Sequence, residues 1–317
     1  MTRFTEPRFW FTWMWAIAFR GLSLLPLPVL WLVGTLLGQC LYWLHTERRH
    51  VATRNIDRCF PELSPHQRKR LVRRHFRVLG QAVFDVGVTA WASEKRFNRL
   101  VRFAGLEHLE QSQREGRNVL ILAPHFSTMT VGALALAQRG PLVAMYRPPR
   151  NPLVHAGYRL ICDAKESGNP MLDLIVHSRR PRHTIELVDY RYGMRSAIKN
   201  LLSGTPLYYL PDQDLGKRHK VFAPFFNIQT STISATSRFA ELGSAVVILC
   251  AAKQLSRGQG YEIILSAPFD QFPSGDEHED ATRMNMEIEK MIRTMPEQYF
   301  WVHQRFKTRP EGEPSFY

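Results

Sequence analysis

From Gly21 to Leu44 the chain runs 24 residues without a single charge. A helix needs about 20 mainly apolar residues to cross a bilayer. This run therefore leaves three options: a membrane anchor, a buried core helix, or a signal peptide. The signal peptide fits worst, because the run is too long and no small-x-small cleavage site precedes the charged segment beyond it. Pro26 and Pro28 weaken the first turn, but Val29–Leu44 still reads as one apolar helix. Phe9 to Phe19 is apolar as well, and Arg20 is the one charge between the two runs. Trp10, Trp13, Trp15, Trp31, Tyr42 and Trp43 sit toward the ends, where interfacial aromatics belong. The reading is a single anchor over residues 1–45, spanning or steeply inserted, followed by one domain over residues 46–317.

The next stretch gives that anchor an orientation. Between His45 and His75 lie nine Arg and Lys residues against three acids. The positive-inside bias places the domain after the anchor in the cytoplasm, and such a cluster also suits anionic headgroups. Ser64 and Pro65 read as N-cap and first position of a helix running toward Trp91, so the same charges line a helix face. The whole chain carries 42 Lys and Arg against 28 Asp and Glu, a net charge of +14. That demands an anionic partner: nucleic acid, a membrane surface, or an acidic protein or substrate. Nucleic acid is set aside, because no recognition motif accompanies the charge and the apolar run argues against it. Cys40, Cys59, Cys162 and Cys250 are scattered, without C-x-x-C spacing, and read as free thiols in a reducing compartment.

Past residue 100 the pattern alternates. Asn118–Ala123, Leu142–Tyr146, Thr184–Val188, Pro206–Leu210, Ala245–Ala251 and Tyr261–Ala267 read as strands. Thr128–Arg139, Met194–Leu202, Ser231–Leu242 and Asp280–Thr294 read as helices, the last with Met284, Ile288, Met291, Ile292 and Met295 on one face. Strands alternating with helices imply an α/β class with a parallel or mixed sheet flanked by helices. Residues 153–183 read as a polar excursion, a lid or insertion.

Four clusters carry candidate chemistry. His125 comes directly after the run NVLILA, at the carboxyl end of a strand, where open α/β sheets place their sites. A histidine there suits a general base, and the helix after it offers free N–H groups near Thr128 to an oxyanion. Asp212, Gln213 and Asp214 come after a second strand; two carboxylates at that spacing orient a base or bind a metal, unless Pro211 and Gly216 make the segment a mere turn. Arg147 ends a third strand and suits a phosphate or carboxylate. If residues 301–310 are extended, the period of two puts His303, Arg305, Lys307 and Arg309 on one edge, which suits phosphates. The acidic run Asp276–Asp280 complements the start of the next helix rather than holding a metal.

Taken in order, APHFSTMTVG, YRPPRNPL, YLPDQDLG, VFAPFFNIQTST and PEQYFWVHQRFKTRPEGEP cover the chain after its anchor and basic helix. With them the sequence resembles the late acyltransferases of lipid A biosynthesis, the lauroyl and myristoyl transferases of Gram-negative bacteria. The resemblance implies an α/β acyltransferase fold on the cytoplasmic face of the bacterial inner membrane, single-pass or monotopic. It implies acyl transfer from acyl carrier protein to a hydroxyl of a lipid A precursor, with no metal or organic cofactor. Inner-membrane lipids are the further partner. In that family's motif a His is followed, after four residues, by Asp or Glu. His125 matches, but the acid's position holds Thr130. Asp212 and Asp214 are the nearest substitutes for the missing carboxylate. Arg147, Gln213, His303, Arg305 and Lys307 become candidate substrate contacts. The alternative is a degenerate member that binds lipid or protein at the membrane. Asn227 also departs, standing where Gly is usual after Phe-Phe, a mild change because Asn tolerates positive φ.

Overall fold

The computed structural model describes residues 20–146, 185–189, 193–214 and 220–317, with isolated positions before residue 20. The segment 153–183 and Arg147 lie outside the described residues. After the helical residues 20–23 come three helices, α1 (Leu27–Leu44), α2 (Thr46–Cys59) and α3 (Pro65–Trp91). Ser64 and Gln67 form a capping box at the start of α3, which fixes its first turn. Next come α4 (Glu94–Leu100), β1 (Val101–Ala104), α5 (Leu106–Arg114), β2 (Asn118–Leu122), α6 (Met129–Ala137), β3 (Leu142–Tyr146) and β4 (Ile185–Asp189). The remainder is α7 (Met194–Leu202), β5 (Leu207–Tyr209), β6 (Lys220–Phe225), β7 (Ile228–Ile233), α8 (Ala235–Leu242), β8 (Ala245–Gln254), β9 (Tyr261–Leu265) and α9 (Glu277–Thr294).

Seven strands form one mixed sheet in the order β1-β9-β8-β2-β5-β3-β4. Only β8 and β9 run antiparallel within it. Its central strands β2, β5 and β8 are buried on both faces along most of their length, as a helix-covered sheet requires. Val119, Ile121 and Ala123 of the β2 segment enter one core with Leu134 and Val131 of α6. Leu120 and Leu122 enter the other, with Ile288 and Ile292 of α9 and Phe239 of α8.

One element departs from expectation. Residues 231–233 continue a strand, and the helix starts only at Ala235. The β-branched stretch from Ile228 to Ile233 pairs antiparallel with Lys220–Phe225, so VFAPFFNIQTST folds as a two-residue hairpin. Both turn residues, Phe226 and Asn227, have positive φ, 50° and 59°, the signature of a type I′ turn. The acidic run forms the first turn of α9, with Asp276 as cap, accepting from the N–H groups of His278 (2.7 Å) and Glu279 (2.9 Å).

Helix α1 is not isolated from the rest. Leu27 and Leu30 share a core with Phe84 and Val88 of α3, while Tyr42 joins the other core beside Phe76. The two helices run antiparallel at close range because glycines meet: Gly34 and Gly38 on α1, Gly80 on α3. A Cβ at Gly38 would collide with the Phe76 carbonyl oxygen and stand 2.6 Å from the Arg77 Cα. Both are backbone atoms, so no rotamer change relieves the clash. Gly38→Ala is therefore expected to cost about 1–3 kcal/mol through overpacking and to lower the thermal midpoint in detergent. An unchanged midpoint would show that the helices separate without cost.

Candidate active site

Strands β2 and β5 are parallel neighbours, with Leu122 opposite Tyr209. The Ala123 N–H still donates to the Tyr209 carbonyl at 2.8 Å, so the strands leave the sheet side by side. Three residues beyond that pair lie His125 on one chain segment and Asp212 on the other. The register alone thus brings the two together. Asp212 Oδ2 accepts from the His125 backbone N–H at 2.8 Å, and Asp212 Oδ1 lies 2.6 Å from His125 Nδ1. One carboxylate holds both the loop and the ring. Nδ1 is thereby the protonated nitrogen, and Nε2 is left with the lone pair that a base needs.

Asp212 is 3% exposed. Burial pushes its pKa up, but the charge of His125, the two hydrogen bonds from that residue and the charge of Arg305 outweigh it and hold the carboxyl at about 2. It is ionised at neutral pH. Burial, with the Asp212 charge beside it, pushes the Tyr299 phenol up, so this hydroxyl stays protonated.

The His125 loop is clamped from its other side by residues 298–300. Phe126 bridges to Tyr299, the Phe300 N–H donates to the His125 carbonyl at 2.9 Å, and the Ser127 N–H and hydroxyl donate to the Gln298 carbonyl at 2.8 Å and 3.0 Å. Thr128 anchors the start of α6 by donating to the Ala252 carbonyl at 2.7 Å. A small pocket opens here, lined by His125, Asp212, Gln213, Asn55, Phe300 and His303, with Tyr299 and Arg305 completing it. Sequence reasoning misses Asn55 and the aromatics as site residues. Asn55 is one uncharged residue in a charged helix and carries no signal, whereas Tyr299 and Phe300 stand inside PEQYFWVHQRF.

The structure sorts the other candidates. Thr130 sits half-buried in the first turn of α6, and the ring of His125 is bonded to Asp212 instead of to residue 130. Asp214 serves the tail: its carboxylate accepts from the Thr308 N–H at 2.9 Å, and its own N–H donates to His303 Nε2 at 3.3 Å. Burial and the neighbouring positive charges push His303 down to about 4, so it is neutral as this acceptor role requires. The extended tail with four aligned cations is overturned, since residues 301–308 fold as successive turns. Arg305 is only 3% exposed and points inward, donating to the Ser231 carbonyl at 2.6 Å and the Thr232 hydroxyl at 3.3 Å. Turns replace the strand because residues 301–308 are tied inward at Asn55, Ser231 and Asp214, not to a neighbouring strand. Arg309 is engaged with the Gln229 carbonyl and Glu313, and Lys307 is exposed. No cluster of three His, Cys, Asp or Glu able to hold a metal occurs among the described residues.

A histidine gripped by a buried carboxylate, at the carboxyl ends of parallel strands and facing a pocket, is the equipment of an enzyme that takes a proton from an attacking nucleophile. Known proteins narrow that class. The family model described as bacterial lipid A biosynthesis acyltransferase matches residues 1–163 and 153–308. The chain is 31% identical over 317 residues to the lipid A biosynthesis lauroyltransferase of Escherichia coli K12, covering 100% of this chain and 97% of that one. It is 30% identical to the palmitoleoyltransferase of the same organism (99% and 96% covered) and 29% identical to its myristoyltransferase (98% and 91%). The chain belongs to the bacterial lipid A biosynthesis acyltransferase family.

Proposed function

We propose that this chain transfers a fatty acyl group from the thioester of acyl carrier protein to a hydroxyl of a lipid A precursor, at the cytoplasmic face of the bacterial inner membrane. The observation that carries the reading is the contact of 2.6 Å between His125 Nδ1 and Asp212 Oδ1. Nε2 of His125 takes the acceptor's proton as its oxygen attacks the thioester carbonyl. Asp212 holds the tautomer and stabilises the imidazolium that forms. The tetrahedral intermediate then expels the thiolate, which leaves with the proton held by His125. Among the N–H groups entering α6, that of Ser127 is bonded to Gln298 and that of Met129 to Phe126. Thr128 and Thr130 are therefore the positions proposed for holding the oxyanion. Thr130 thereby keeps a place in the site through its backbone. Lys307 and Arg147 remain the proposed contacts for substrate phosphates, and the net charge of +14 suits both the acidic carrier protein and anionic lipid. The chemistry needs no cofactor.

Membranes carrying the chain, given defined acyl carrier protein thioesters and a lipid A precursor, should yield a product heavier by one acyl group in mass spectrometry. The absence of transfer with every donor would favour the second reading, a member that binds lipid without turning it over, which Thr130 at the motif's acid position motivates.

A further inference from the structure

Helix α1 has two unlike faces. Leu27, Leu30, Gly34, Gly38 and Tyr42 are buried against the domain. Val29, Leu32, Val33, Leu36 and Leu44 face outward, with Leu32 55%, Leu36 60% and Leu44 77% exposed. This is a continuous apolar stripe with nothing of the described chain upon it. Both ends of the helix touch the domain. At its start, Gly258 packs so closely on Pro28 that a Cβ would come within 2.6 Å of the Pro28 Cα, and the Arg96 guanidinium donates to the carbonyls of Ser23 and Leu25. At its end, the guanidinium groups of Arg49 (5.1 Å) and Arg73 (5.6 Å) lie against the buried Tyr42 ring, next to exposed Trp43.

At 1.5 Å per residue α1 is about 27 Å long, and the domain lies along all of it. A helix that crosses a bilayer meets its domain at an end; this one is strapped lengthwise to α3, which carries Arg73 and Arg77 beside it. Upright, α1 would draw Arg77, bonded to Gln39, and at its far end Arg96 with the Gly258 turn into or across hydrocarbon, a costly placement. Lying flat, it leaves them at headgroup level, where anionic lipid attracts them.

We propose that the α1–α3 hairpin is a one-sided membrane-docking surface: α1 lies in the plane of a leaflet of anionic phospholipid, its outer stripe in the acyl layer and Arg49, Arg73 and Arg77 among the phosphates. The inference rests on the membrane location proposed above and fixes its geometry as monotopic. Lipid is favoured over a second copy because exposed Trp43 and exposed Arg77, bonded to Gln39, border the stripe as an aromatic and a cation border a headgroup boundary.

The test uses the full chain with Cys40→Ser and Cys162→Ser, spin-labelled singly through Val29→Cys, Leu32→Cys, Leu36→Cys or Leu44→Cys and bound to phosphatidylglycerol–phosphatidylethanolamine vesicles. Depth is read from collisions with oxygen against a water-soluble nickel complex. All four labels are expected at one shallow depth, about 5–10 Å below the headgroup boundary. A depth profile that passes through the bilayer midplane would overturn the flat geometry and restore a spanning helix. Four labels open to the nickel complex would overturn the membrane location itself, and spin–spin broadening would assign the face to a second copy. Leu32→Asp combined with Leu36→Asp alters only exposed positions, so folding is expected to survive while vesicle co-sedimentation falls at least tenfold; unchanged binding would count against the proposal.

Discussion

Asp212→Asn is expected to lower acyl transfer by about 10²–10⁴-fold, close to the loss from His125→Ala, because in the proposed mechanism the two act as one general base. The substitution keeps the side chain's shape. It removes the charge that steadies an imidazolium in a buried place, where Asp212 is 3% exposed and ionised with a pKa of about 2. Asn also offers an N–H₂ group toward His125 Nδ1, which favours the tautomer with the proton on Nε2, the nitrogen that must be free. The double variant should be little worse than either single one, since each alone disables the same step. Thr130→Glu supplies the complementary arm. If Asp212 is the acid, a second carboxylate near His125 has no vacancy to fill, and activity should stay level or fall. A gain on Thr130→Glu, together with full activity of Asp212→Asn, would return the acid's part to position 130. Initial rates with saturating donor and acceptor decide between these outcomes.

His125 and Asp212 are each legible in the sequence because each comes after a short apolar run, and in an α/β sheet such runs end at the site. Their partnership is not legible. It depends on β2 lying next to β5 with Leu122 opposite Tyr209, although β3 and β4 intervene in sequence. No local pattern encodes that neighbour relation. The tail misleads for a different reason. Alternation of His303, Arg305, Lys307 and Arg309 has the period of a strand, yet the backbone turns, and Arg305 goes inward to carbonyl and hydroxyl groups on β7. Strand β7 is itself hidden, because Ser and Ala around Ser234 read as the start of the helix. The tolerance of Asn227 for positive φ is readable from its residue type, whereas the consequence, a two-residue hairpin, is not. Helix α2 shows the masking effect of charge: Val51, Ala52, Asn55, Ile56 and Cys59 are buried at helical spacing among arginines that draw attention to the surface.

Arg305→Met is expected to damage stability more than substrate binding. The guanidinium lies beneath the site, over the Phe225 ring at 5.4 Å, with two nitrogens held by Ser231 and Thr232. Its charge helps keep Asp212 depressed, after the larger effects of burial, which raises the pKa, and of His125, which lowers it. A carboxyl depressed in the folded state stabilises the fold above its unfolded pKa, near 3.8, and that contribution is lost as pH falls toward about 2. Without Arg305 the folded value rises, so the stabilisation shrinks at neutral pH and acid unfolding begins at a higher pH. Removing one member of a buried charged network costs about 3–5 kcal/mol, which for a chain of this size lowers the thermal midpoint by about 5–8 °C. Arg305→Lys keeps the charge but loses the fork that reaches both β7 oxygens, and should fall between the two. Since the group faces the interior, the Michaelis constants for acyl donor and lipid acceptor should move together. A selective rise for the lipid acceptor with an unchanged thermal midpoint would instead make Arg305 a grip on substrate phosphate.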